Sequence, residues 1–273
     1  MAKHNAVEWC HHTFNPWSSA ANWRRPHHWN AQAQCLGIHS RVALPEVFDS
    51  AVPDAWRAHL WALLRQTPHL DWLLITTQIG NAARMLPPDW GRGWPNAWLL
   101  AKVTTQAEAN RHLPELLDTP AAIRGLSCEP LLGPIDLKDA LDKIDWVLVG
   151  GESDPHARPL NPSWAYSLCE QCQDAEVPFY FTQWGTWAPR GPEHLLDGTL
   201  AREADPLCTR WPMTLVEADG MERYMQRVGK QLAGRELWDR TWDEYPHPNV
   251  KQLRRSCTAG SILKSSATTR PTW

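Results

Sequence analysis

The chain has 273 residues, 43% of them hydrophobic, and a formal net charge of −3. That length suits one large α/β domain with a sizeable core. The charge excludes a mainly electrostatic nucleic-acid binder while leaving room for a local basic groove, and no apolar run reaches the roughly 20 residues that a membrane helix needs.

Residues 1–41 are rich in Trp, His and Asn and show little periodicity, with Val7-Glu8-Trp9 as the start of a candidate first strand. Arg41 to Leu44 reads as a short strand. Pro53 to Arg65 reads as a helix, with Ala55, Trp56, Leu60, Leu63 and Leu64 at helical spacing, Pro53 at its first position and Ser50 or Asp49 as its cap. Asp71 to Thr76 and Trp98 to Val103 are strands. Thr105-x-x-Glu108 is a capping box opening a helix through Leu116, with Pro114 expected to kink or shorten it. Ile123 to Cys128 and Trp146 to Gly150 are strands. Asn161-Pro162 caps and starts a helix to about Gln173, and Val177 to Phe181 is the last strand of the series. Residues 186–218 read as a surface excursion, and Asp219 to Leu232 as a helix carrying Met221, Tyr224, Met225 and Val228. Residues 247–273, with Lys251, Arg254, Arg255, Lys264 and Arg270 and no acid after residue 250, read as a disordered basic tail or, as the minor reading, a weak nucleic-acid contact.

Strands alternating with helices over short connections argue for parallel pairing and right-handed crossovers. The count is six strands, or seven if residues 7–14 contribute. No G-x-G-x-x-G follows a first strand. The expected fold is therefore α/β, a partial or closed parallel (β/α) barrel spanning residues 1–246 as a single domain.

Three apolar runs end abruptly in chemically capable residues: Gly125 to Pro130, Val147 to Ser153, and Phe179 to Gly185. In an α/β barrel such strand ends build the active site. Ser127, Cys128, Gly150, Gly151, Ser153, Gln183 and Trp184 are accordingly candidate ligand contacts. Glu129 and Glu152 end neighbouring strands and are the candidate catalytic pair, suited to acid–base work or to a divalent metal. The structural alternative is that each caps a loop or pairs with Arg124 or Arg158. Gly150-Gly151 permits close approach of a ligand or a tight turn.

Other signals are weaker. The seven Cys are scattered and odd in number, which suggests no disulfide framework and a reduced, cytoplasmic setting. Cys169-x-x-Cys172 falls inside a helix, where packing is the better reading. His11-His12 and His27-His28 are adjacent pairs that form no chelate by themselves. Eighteen Trp against four Phe and four Tyr are read first as core and rim packing, each indole N–H needing a partner, and second as a base-stacking surface.

Several segments together resemble a known family. They are Glu8-Trp9 with His12-Thr13-Phe14-Asn15-Pro16-Trp17, then Trp23-Arg24-Arg25-Pro26, then Thr119-Pro120 running into Ser127-Cys128-Glu129-Pro130-Leu131-Leu132-Gly133-Pro134. Val149-Gly150-Gly151-Glu152-Ser153 with Ala157-Arg158-Pro159, Gln183-Trp184-Gly185 and Trp242-Asp243-Glu244 follow. The set resembles the phage gene-product 37/68 family, a radical-SAM-like family of phages and prophages. The resemblance adds Asn15 and Arg158 to the candidate ligand contacts. It implies a [4Fe–4S] cluster held by three cysteines just after the Asn-Pro-Trp segment, with S-adenosylmethionine on its open iron. Here Ser18-Ser19-Ala20-Ala21-Asn22-Trp23 follows instead, and the cysteine segment is missing. The family's Thr-Lys-Arg-Pro is replaced by Thr76-Thr77-Gln78-Ile79, and its Lys by Thr182.

Three expectations follow: a barrel that has lost its cluster and keeps at most a ligand pocket for a small molecule or nucleotide, an active enzyme on the same barrel, or a Trp-rich partner-binding protein. No metal site is expected from the residues themselves.

Overall fold

The computed structural model describes residues 12–15, 20–190, 214–218 and 221–246. The strand start at Val7, the Cys10 thiol, Pro16-Trp17, residues 191–213 of the excursion and the tail from 247 lie outside the described residues.

Seven strands form one parallel sheet in strict chain order: β1 (His12–Thr13), β2 (Ser40–Pro45), β3 (Leu70–Thr76), β4 (Ala97–Lys102), β5 (Ile123–Cys128), β6 (Trp146–Gly150) and β7 (Phe179–Gln183). The sheet curls into a half-barrel, the partial form of the expected α/β barrel. The helices α1 (Arg25–Leu36), α2 (Asp54–Gln66), the short α3 (Ala82–Met85), α4 (Gln106–Asp118) and α5 (Pro162–Asp174) are the crossovers. No described helix is long and apolar enough to cross a membrane.

Period-2 alternation gives each strand two apolar faces. Leu99 and Ala101 of β4, Leu126 and Cys128 of β5, Val147 and Val149 of β6, and Phe179 and Phe181 of β7 pack outward against the helices. Leu73, Trp98, Leu100, Ile123, Trp146, Leu148 and Tyr180 form a second core on the inner face. The amino-terminal end of that inner face is filled by rings. Trp146 meets Trp98 edge to face at 5.6 Å and lies 5.5 Å from Tyr245, and Arg41 stacks over Tyr245 at 3.7 Å.

The helix ends follow local chemistry. Thr105 caps α4 by accepting from the Glu108 N–H. The returning Glu108 carboxylate accepts from Thr104, at 2.7 Å from its N–H and 2.8 Å from its hydroxyl. Burial pulls the Glu108 carboxyl upward, but these bonds hold it below its ordinary range. Asn161 caps α5 through the Ser163 N–H at 3.0 Å, with Pro162 in first position as expected. Pro114 neither ends nor shortens α4, which runs on to Asp118. At α2 the cap position is Pro53 and the first helical residue is Asp54. Asp49 instead accepts from the Ala51 N–H at 2.8 Å in the loop ahead of the helix.

Two segments depart from the sequence reading. Arg25–Leu36 is a helix that periodicity did not announce, since only Pro26, Trp29 and Ala33 of it are buried; Gly37 stops it in the left-handed region at φ 65°. The helix expected over 219–232 is corrected: Met221–Arg227 is a strand, β10, paired antiparallel with β8 (Trp187–Arg190) and β9 (Thr214–Ala218). Apolar residues at spacings of three and four also satisfy a strand once two partners supply the ladder, so tertiary pairing overrides the helical pattern.

The free edge of β7 is covered rather than exposed. A short helix α6 (Lys230–Ala233) leads into a two-strand ribbon, β11 (Glu236–Leu237) and β12 (Arg240–Thr241). The chain then runs back along β7: Phe181 donates to the Trp242 carbonyl at 3.1 Å and Glu244 to the Phe179 carbonyl at 3.2 Å. Tryptophan builds much of this closure, as the packing expectation has it. The indoles of Trp146, Trp184, Trp187 and Trp242 donate to the carbonyls of Glu244, Glu236, Ala157 and Leu237.

Candidate functional site

The carboxyl ends of β4 to β7 place a polar group on the inner face, above the ring-packed end. Alternation with Trp98 and Leu100 puts Lys102 on that face, half-buried and directly opposite Ser127 in register. Ser127 alternates with Gly125 and Glu129 on β5 and its continuation. On β6 the inward position is Gly150, and this glycine decides the geometry of the site. A Cβ built there would collide with the Thr182 hydroxyl and lie 3.1 Å from the Glu129 carboxyl carbon. With no side chain on the middle strand, Glu129 reaches from β5 across β6 to β7. There the Gln183 amide Nε2 donates to Glu129 Oε1 at 3.1 Å and to the Ser153 hydroxyl at 3.0 Å. The register shift between Val149 and Gly150 aligns Gly150 with Gln183, so that side chain joins the inner face.

The Gln183 amide is thereby oriented. Both of its N–H hydrogens are engaged, and turning it over would set its oxygen against a carboxylate oxygen. Its Oε1 is buried and has no hydrogen-bond partner, on a residue only 9% exposed. A buried acceptor left alone costs about 1–3 kcal/mol.

The other candidates take different places. Glu152 does not join Glu129; it is held by Arg158, which donates through its backbone N–H at 2.7 Å, Nε at 3.1 Å and Nη2 at 2.6 Å. These bonds keep the Glu152 carboxyl below its ordinary range. The structure therefore does not assemble the expected catalytic pair: one carboxylate clasps the loop after β6, the other orients an amide. Arg124 donates from its guanidinium to the Thr119 carbonyl. Gly151 permits close approach of backbone, not of ligand: its N–H donates to the Gln183 carbonyl at 2.9 Å, and a Cβ there would collide with the Trp184 carbonyl.

Cys128 and Trp184 belong to the outer core. Cys128 has no exposure, and burial pushes its thiol up to about 12; the strand residue after inward Ser127 must face outward. Trp184 is 2% exposed beneath the carboxyl-terminal segment, bonded to the Glu236 carbonyl. Neither is a strand-end ligand contact. Asn15 follows β1, at the opposite edge of the sheet from β7.

The described residues do not fit an iron–sulfur cluster. Cys35 is exposed on α1, while Cys128, Cys169 and Cys172 are buried between β5 and α5. Burial raises all three of those thiols, Cys169 to about 12, with Cys128 and Cys169 adding to the rise at Cys172. Cys128, Cys169 and Cys172 have no exposure, so they offer no open face on which a cluster could take a ligand. Among the described residues no group of His, Cys, Asp or Glu is placed to hold a metal ion.

Lys102 is the site residue that sequence reasoning passed over. Its signal was the one used for the other strands, a polar residue ending the apolar run Trp98-Leu99-Leu100-Ala101. Glu46 and Thr77, at the ends of β2 and β3, satisfy each other through the Thr77 hydroxyl at 3.1 Å.

The architecture defines an α/β half-barrel whose polar groups gather at the carboxyl ends of its later strands. Residues 18–246 match the model of a family described as "protein of unknown function (DUF5131)", and the chain belongs to that family. No curated protein and no solved structure matches it.

Proposed function

We propose that this chain is a phage- or prophage-encoded, radical-SAM-like half-barrel that acts without a cluster in the bacterial cytoplasm, binding a small molecule at the carboxyl ends of β5 to β7. The observation that carries the reading is the side-chain amide oxygen Oε1 of Gln183, buried, oriented by Glu129 and Ser153, and without a hydrogen-bond partner. Most buried polar atoms in folded proteins are satisfied, so an oriented acceptor left alone calls for a donor from outside the chain. The half-barrel and its strand-end polar group support the location. The placement of the described cysteines supports the cluster-free part of the reading.

Anaerobic reconstitution of the full chain with iron and sulfide tests that part. The expected product is colourless; a brown protein with cluster charge-transfer absorption overturns it. Calorimetric titration with S-adenosylmethionine, with Gln183→Leu as control, tests the pocket. Saturable heat with the parent chain and none with the variant supports a surviving strand-end site. Equal heats from both place any binding elsewhere and count against it.

A further inference from the structure

We infer that the group recognised by this site is a primary ammonium, held between Gln183 Oε1 and the Glu129 carboxylate; the inference rests on the strand-end binding reading. The hydrogen-bond inventory carries it. Gln183 has spent both donors, at 3.1 Å on Glu129 Oε1 and 3.0 Å on Ser153 Oγ. It offers only an acceptor, and that acceptor is buried and unpartnered. Whatever completes it must donate. Glu129 is the amide's charged neighbour and contributes acceptors only when ionised. An acceptor-rich group such as phosphate or carboxylate would meet a carboxylate and an amide oxygen, with no donor left on the amide. A hydroxyl supplies one hydrogen and no charge. An ammonium supplies three N–H donors and the opposite charge in one small group, and a charged donor forms the stronger bond.

The placement of the chain around the amide agrees. Gly150 leaves the middle strand without a side chain, so the Thr182 hydroxyl and Glu129 close over it and Glu129 reaches the Gln183 amide. Thr182 is not a competing donor, because its hydroxyl is committed to the Val149 carbonyl at 3.1 Å. Ser153, bonded to the amide, is exposed on the loop after β6, which makes that side the shortest way from solvent to the buried oxygen. The Glu152–Arg158 clasp fixes the same loop at 2.6–3.1 Å. Lys102, on the same inner face two strands before Gly150, supplies a cation for an acidic group elsewhere on the ligand. The ligand class is therefore a small amine, with room in the charge pattern for an amino acid or similar zwitterion.

The test uses the full chain and three matched probes: 1,4-diaminobutane, its fully N-methylated bis-quaternary analogue, and 1,4-butanediol. The first has charge and N–H donors, the second charge alone, the third donors without charge. The readout is the side-chain amide cross-peak of Gln183 in a nitrogen–proton NMR spectrum, assigned by its loss in Gln183→Leu. The expected result is a saturable shift with the diamine and affinities at least about tenfold weaker for the other two, the loss of one charged hydrogen bond. In calorimetric titrations, which do not need the Gln183 resonance, Gln183→Leu is expected to abolish diamine binding and Glu129→Gln to weaken it, both with unchanged circular dichroism. Equal affinity for the quaternary analogue or for the diol overturns the ammonium while leaving a strand-end site standing. No saturable shift with any probe, or undiminished diamine binding by Gln183→Leu, overturns both.

Discussion

The two ends of the half-barrel's inner face solve one packing problem differently. At the amino-terminal end Trp98, Trp146, Tyr180 and Tyr245 fill the concavity with rings, and Trp146 also bonds the Glu244 carbonyl at 2.8 Å. Trp98 Nε1 has no oxygen partner there, but it sits in an edge-to-face pair with Trp146, an environment in which a ring face can take an N–H. At the carboxyl end Gly150 carries no side chain, and Thr182, Glu129, Ser153 and Gln183 gather polar groups around it. A ring face would not serve Gln183 Oε1, since an amide oxygen has no hydrogen to give it. One end is built for stability, and the other holds a group that the fold alone leaves incomplete.

Substitutions at the two ends sharpen this contrast. The largest effect belongs to the ring-packed end: Trp146→Ala is expected to cost about 4 kcal/mol in chemical denaturation, since it removes a fully buried indole and its hydrogen bond. A loss below about 1 kcal/mol would mean that this end is not the stabilising one. Gly150→Ala comes next. The new methyl would collide with Thr182 and crowd Glu129, costing about 2 kcal/mol and shifting the Gln183 side-chain amide resonance as its bond to Glu129 breaks. An unchanged resonance would show that Gly150 does not hold the bridge open.

The smallest effect concerns pH. Arg158 lowers the Glu152 carboxyl in the folded chain. A lowered folded value stabilises the protein above the unfolded carboxylate pKa, and the gain is lost as pH falls through the folded value. Arg158→Met should therefore narrow the stability difference between neutral and acid pH, seen as a smaller slope in melting temperature below pH 5 or so. Arg158 is well exposed, so the effect is screened and small. An unaltered slope would remove the clasp from the account.

Much of the architecture was written in local patterns. The runs Ile123–Cys128 and Trp146–Gly150 are strands with the boundaries their apolar stretches imply, because buried parallel strands have little freedom to be polar. The caps at Thr105 and Asn161 are equally local. What escaped was set by partners distant in sequence. Met221–Arg227 is a strand because two neighbours pair with it, and Arg25–Leu36 buries too few residues to show a stripe.

The site divides in the same way. That polar residues gather at strand ends was legible, but facing was not. Ser127 and Cys128 are adjacent and point to opposite faces, so one joins the site and the other the outer core. Glu129 and Glu152 looked like a pair because both end strands; Arg158, six residues beyond Glu152, claims the latter. The bridge from Glu129 to Gln183 spans 54 positions and depends on a register shift at Gly150. No sequence period reports such a contact.

Gln183→Leu tests the central claim most directly, with stability and 1,4-diaminobutane binding measured on the same sample. The variant relieves one lone acceptor but removes two donated bonds, one of them to a carboxylate. A loss of about 1–2 kcal/mol is therefore expected whatever Gln183 does, and binding decides. If Gln183 Oε1 waits for a ligand, diamine binding is lost. If Gln183 only braces Glu129 and the loop after β6, the variant loses the same stability but binds the amine as the parent chain does, which would contradict the account.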